Sequence, residues 1–205
     1  MGRRSDAREQ MLTSAVLLFR ERGVDATSLG DVIAHARAPR GSIYHHFPGG
    51  KAQLAQEATR RAGTLMGSMI SGSLAQGDPA ATLRLVVDLF REQLAATDFR
   101  AGCPVAAAAL EGGDTPEARH VAGEAFTAWE QTIASALWQH GLDMDRARSV
   151  AAMALSAIEG ALLLAKAKRS TEPLDAVATE LTAWVATLTG ESSRPQGNSH
   201  EPLPR

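Results

Sequence analysis

Apolar residues recur along this chain with the 3.6-residue period of a helix, and no stretch alternates with the two-residue period of a strand. Leu29, Val32, Ile33 and Ala36 stand at i, i+3, i+4 and i+7, and Leu83, Val86, Val87, Phe90 and Leu94 repeat the pattern. Gly and Pro fall at the margins of such runs, where they end or open helices. The apolar residues are largely Ala and Leu, and only 4% of the chain is aromatic, a bias toward helix over strand. The chain reads as all-α, and an apolar fraction of 44% over 205 residues supports a real core.

Local signals place the helices. Ser5 is expected to cap a first helix that runs to Arg22 and stops at Gly23. Ser28 and Asp31 have capping-box spacing at the head of the second. After a turn at Arg37–Ala38, Pro39 suits the first turn of a third helix over 40–47, broken by "PGG". A long fourth helix runs from Lys51 toward Ala75, interrupted by Gly63, Gly67 and Gly72, which would ease its bending. Further helices are expected over 79–96, 104–110, 115–140, 143–169 and 173–189, followed by a disordered tail from 190 to 205.

Charge divides the chain. Residues 1–65 carry ten Lys/Arg against six Asp/Glu, and residues 66–205 carry eleven against seventeen, so a lobe of +4 precedes a body of −6. Such asymmetry suggests an N-terminal reader of polyanions. With Cys103 as the lone cysteine no intrachain disulfide can form. No apolar run approaches the roughly 18 residues of a membrane span, and the N-terminus lacks the apolar core of a signal peptide. The expectation is a cytosolic protein without a membrane partner. Ser-His-Asp order with supporting motif, a phosphate-binding glycine loop and a spaced metal cluster are all absent from the sequence. His45 and His46 are adjacent, so their side chains diverge on a helix and do not chelate one metal. No enzyme activity, cofactor or metal is expected.

The segment "ARAPRGSIYHHFPGGK" crowds polar groups into one turn and one short helix. At about 100° per residue, Ile43 and Phe47 lie about 40° apart and form a buried seam. Gly41 and His45 then point away from the core, flanked by Ser42 and Tyr44, with Arg40 near the helix start. A helix entering the major groove needs that face: donors and acceptors for base edges, bordered by groups for phosphates. Between Asp31 and Glu57 there is no carboxylate to repel a polyanion.

"TSLGDVIAHARAPRGSIYHHFPGGKAQL", with the leading "LTSAVLLFRERG", resembles the helix-turn-helix of TetR-family transcriptional regulators. "FPGGK" and the later "GCPVAAAALE" are similar to its LmrA/YxaF-type subgroup. The resemblance implies a helix-turn-helix DNA-binding domain over 1–50 and a larger helical ligand-binding and dimerisation domain over 51–189. It further implies that Arg40, Gly41, Ser42 and His45 face base edges of a double-stranded operator while Thr27, Ser28, Tyr44 and Lys51 hold phosphates. His46 is expected to be structural or a backbone contact. Arg37 stands where the family usually has Gly, and Pro39 where it often has a Ser or Thr cap. A ligand-responsive repressor is implied, in this subgroup often of efflux or drug-resistance genes.

One short helix reads too few bases for operator specificity, which two-fold homodimers overcome by reading two half-sites. The apolar stripes Ala151, Leu155, Ile158, Leu162 and Leu174, Val177, Leu181, Trp184, Val185, Leu188 are candidates for the dimer surface. Met66, Met69, Phe90, Cys103, Phe126, Trp129 and Met153 are candidates to line a cavity for an apolar or aromatic effector. Cys103 beside Pro104 is also a candidate redox-sensing thiol, with a buried inert thiol as the plainer alternative.

Overall fold

The computed structural model describes residues 2–110 and 115–190, with side chains from residue 7 onward in the first helix. The described residues form nine α-helices and no strand. They are α1 (Gly2–Arg22), α2 (Leu29–His35), α3 (Ile43–His46), α4 (Gly50–Leu74), α5 (Pro79–Ala96), α6 (Pro104–Leu110), α7 (Pro116–Gln139), α8 (Met144–Lys168) and α9 (Glu172–Leu188). Apart from Gly190, the tail expected from 190 to 205 lies outside the described residues.

The helix ends follow local chemistry. The Asp78 carboxylate accepts from the Ala81 amide at 2.9 Å, with Pro79 in the first turn of α5, and Asp143 accepts from the Arg146 amide at 2.9 Å to open α8. Gly23 and Gly141 take the left-handed conformation just past α1 and α7. Two expectations fail on length. α1 begins at Gly2, so Ser5 lies inside it rather than capping it. The third helix is one turn, Ile43–His46, because the Pro39 carbonyl takes the Ser42 amide at 3.0 Å and holds 39–42 as a separate turn.

A continuous apolar core extends from Met11 to Val185. α4 lies at its centre, against α1 on one side and most extensively against α7 on the other. Gly63 and Gly67 are the crossing points rather than bending points. A Cβ on Gly63 would come within 2.8 Å of the Ala125 Cβ, and one on Gly67 within 3.2 Å of the Trp129 indole nitrogen. The Trp129 indole N–H donates to the Gly63 carbonyl at 3.0 Å, which locks the crossing. Arg8 pairs with Glu57 and Arg61 with Glu9, tying α1 to α4.

α8 corrects the reading that no segment could match a membrane span: by length and composition alone it is long and apolar enough. Its two sides do different work. Val150, Ala154, Ile158 and Ala165 face the core. Met153, Leu163 and Leu164 are 47%, 63% and 51% exposed on the other side.

Candidate nucleic-acid interface and effector cavity

The capping box closes as expected. The Asp31 amide donates to Ser28 Oγ at 3.1 Å, and the Ser28 amide donates to Asp31 Oδ2 at 2.9 Å. These bonds stabilise the Asp31 carboxylate and hold its pKa below the usual value. α2 ends in a Schellman motif: the Ala38 amide reaches the Ile33 carbonyl at 3.1 Å and the Arg37 amide the Ala34 carbonyl at 3.2 Å. Arg37 occupies the left-handed position of that motif, with φ of 52°. The Ser42 hydroxyl donates to the Pro39 carbonyl at 2.7 Å and braces the turn into α3.

Ile43 and Phe47 are buried at 1% and 0% exposure, and the Arg8 guanidinium covers the Phe47 ring at 5.2 Å. With that seam anchored, Arg40, Gly41, Tyr44 and His45 are exposed together, Tyr44 by 65%, and Ser42 is half-buried beside them. Nothing lies within 4 Å of where a Gly41 Cβ would stand, so internal packing does not demand a glycine there. Ser28 is exposed at the start of α2. The Lys51 ammonium donates to the Asp25 carbonyl at 2.8 Å, bracing the α1–α2 loop from α4. Thr27 departs from its implied role: it is buried, and its hydroxyl donates to the Gly23 carbonyl at 2.8 Å, so the side chain holds the turn from inside. His46 is half-buried, with its ring edge-on to that of His45.

A cavity of about 530 Å3 opens where the C-terminal end of α1 meets α6, α7 and α8. Of the candidate lining residues, Cys103 and Phe126 border it. Phe90 and Trp129 are consumed by the core, Met66 and Met69 pack against that core, and Met153 faces outward. A Met or aromatic at core spacing looks alike in sequence whether its neighbour is a side chain or a void. The charged residues of the wall, Arg20, Glu21, Arg22, Glu159 and Lys166, were missed. One signal was available: Glu159 interrupts the apolar run "ALSAIEGALLLA", two helical turns before Lys166 on the same face.

Burial raises the Glu159 pKa, and it raises the Cys103 thiol well above its usual value, with the facing Glu159 carboxyl adding to the effect. A thiol so placed stays protonated and unreactive, which favours the inert reading of Cys103. Burial also lowers the pKa of Arg20 and of Lys166, partly offset by Glu21.

The candidate dimer stripes are spent largely inside the chain. Ala151, Ile158, Leu162, Leu174, Leu181 and Val185 are buried, while Leu155, Val177, Trp184 and Leu188 are half-buried against the core. The apolar surface that α8 itself leaves outside is its opposite side, at Met153, Gly160, Leu163 and Leu164.

Residues 11–58 match the family model for bacterial regulatory proteins of the tetR family, and residues 79–180 match that for the C-terminal domain of LmrA/YxaF-like transcriptional regulators. The chain is 42% identical over 193 residues to the uncharacterised HTH-type transcriptional regulator Rv0196 of Mycobacterium tuberculosis, covering 91% of this chain and 98% of that one. It is 32% identical to the uncharacterised HTH-type transcriptional regulator YxaF of Bacillus subtilis, over 90% of this chain and 98% of that one. Among solved structures, the regulatory protein TetR from Rhodobacter sphaeroides shares the fold with a TM-score of 0.77 at 24% identity, over 86% of this chain and 97% of that one.

Proposed function

The chain belongs to the TetR family of transcriptional regulators, in its LmrA/YxaF-like branch, and from that we propose a dimeric repressor released from a palindromic operator by a small apolar or aromatic effector. Its targets are efflux or drug-resistance genes, and its place of work is the cytoplasm. The observation that supports this most is the exposed cluster Arg40, Gly41, Tyr44 and His45 above the buried Ile43–Phe47 seam, in which Gly41 is a glycine that packing does not require.

In this reading residues 1–50 form the reading unit and 51–189 the effector and dimer unit. Arg40, Gly41, Ser42 and His45 meet base edges, while Tyr44, Ser28 and Lys51 meet phosphates, with spare hydrogens on the Lys51 ammonium beyond its bond to Asp25. The outward stripe of α8 packs against its counterpart in a second copy, setting two recognition segments about 34–36 Å apart or at a related spacing. An effector favours the arrangement in which the two segments miss successive grooves. A coupling of about 1–3 kcal/mol changes operator affinity about 5–150-fold.

The test is protection mapping on the DNA flanking the gene, followed by titration of the mapped site and of random DNA across salt concentrations. Arg40→Ala should cost about 1–3 kcal/mol on the operator and relax one base position, with little change on random DNA. Lys51→Ala should weaken both and flatten the salt slope by about one. Equal losses on both DNAs for Arg40→Ala contradict its assignment to a base.

A further inference from the structure

The cavity wall joins the effector unit to the reading unit through charge. Lys166 of α8 reaches across to the C-terminal end of α1, where its ammonium lies 3.3 Å from the Glu21 carbonyl and 3.5 Å from the Arg20 carbonyl. It thus neutralises carbonyls at the negative end of α1, which have no partner in the helix itself. Beside it, Arg20 donates from Nη1 to the Gln93 amide oxygen at 2.9 Å, while its Nε is buried without a partner. The carboxylate serving both cations is Glu21, which also lies 3.4 Å from the Arg100 Nε. This end of the cavity holds Arg20 and Lys166, which share Glu21, and Arg22, which lies 3.8 Å from Asp31.

The other end differs. Glu159 stands about 10 Å back along α8 by helical rise, beside the Cys103 thiol, with no cation paired to it among the described residues. Burial pushes the pKa of that carboxyl up, and this end lacks the cluster of cations found at the other. Phe19, Ala106, Phe126 and Leu162 line the space between.

Resting on the reading of the chain as a ligand-released regulator, we propose that the cavity takes an elongated apolar monoanion whose charged end sits on Lys166 and Arg20, and that the anion acts by drawing Lys166 off the α1 carbonyls. The end of α1 is the base of the reading unit: Gly23 follows it, the Thr27 hydroxyl bonds back to Gly23, and Lys51 braces Asp25 two residues on. Removing the cap frees the helix end from which α2 and α3 are hung.

Decanoate, 1-decanol and decylamine share one chain length and differ in charge, and are titrated into the full chain by calorimetry without DNA, then into its complex with the mapped operator. Decanoate should bind at least tenfold more tightly than 1-decanol and lower operator affinity at least fivefold. Lys166→Met should lose the preference for decanoate and bind the operator more weakly without any probe, whereas Lys166→Arg should keep the preference. Equal binding of all three probes, tightest binding of decylamine, no binding of any, or decanoate binding that leaves operator affinity unchanged would each overturn the proposal. Should Lys166→Met not fold, the order of the three probes on the unaltered chain decides. Failure of the regulator reading shows separately, as loss of salt-dependent operator binding before any probe is added.

Discussion

Arg37 holds a backbone conformation that favours glycine, with φ of 52° at the end of α2. Arg37→Gly should therefore raise stability by up to about 1 kcal/mol, read as a higher midpoint in thermal or urea unfolding. Glu159 sets a second single-residue test. Its pKa is raised by burial, so the folded chain binds that proton more tightly than the unfolded chain. Stability then falls as pH rises from the unfolded value of about 4.3 up to the folded one. Glu159→Gln should melt higher than the unaltered chain near neutral pH, and the gap should close as pH falls toward about 4. The anchors Ile43 and Phe47 and the Ser28–Asp31 cap were legible in the sequence because each depends on neighbours within four positions. Thr27 was not. Its hydroxyl turns inward to the Gly23 carbonyl, a direction that depends on how α1 and α2 cross.

Among the elements, α3 shows the limit of reading by periodicity. The 100° step placed the right residues outward, yet overextended the helix, because the Pro39–Ser42 turn holds its residues on the same side without being helical. α4 shows a different limit. Its interior glycines, Gly63, Gly67 and Gly72, look alike in sequence and differ in surroundings. A Cβ at Gly63 would press to 2.8 Å from Ala125, whereas nothing lies within 4 Å of one at Gly72. Gly63→Ala should destabilise by about 1–3 kcal/mol through overpacking. Gly72→Ala should stabilise by up to about 1 kcal/mol through helix propensity alone. Unfolding curves of the two variants should move in opposite directions from the parent.

For the whole molecule, the proposed dimer makes the outward stripe of α8 the surface to test. A charge set into it costs little in a monomer and much against a second copy. Met153→Glu and Leu164→Glu should each shift the sedimenting species from dimer to monomer at micromolar concentration while leaving helicity nearly unchanged, and the melting midpoint should lose its dependence on protein concentration. A parent chain that sediments as a monomer at that concentration would remove the dimer from the reading. Leu163 and Gly160 belong both to this stripe and to the cavity wall, so the proposed dimer and effector would share one helix face.

By itself the amino-acid sequence determined the helical class, most helix boundaries, the family and the outward side of the recognition segment. All of these depend on short-range terms: capping, the positions of Gly and Pro, and a period that repeats every three to four residues. Tertiary structure alone decided which apolar stripe of α8 turns inward, where the space between helices stays open, and that Lys166 ends beside the carbonyls of a helix about 145 residues earlier. Those depend on how the helices cross, and a stripe of Leu and Ala satisfies a core, a void or a second copy equally well until the crossing is set.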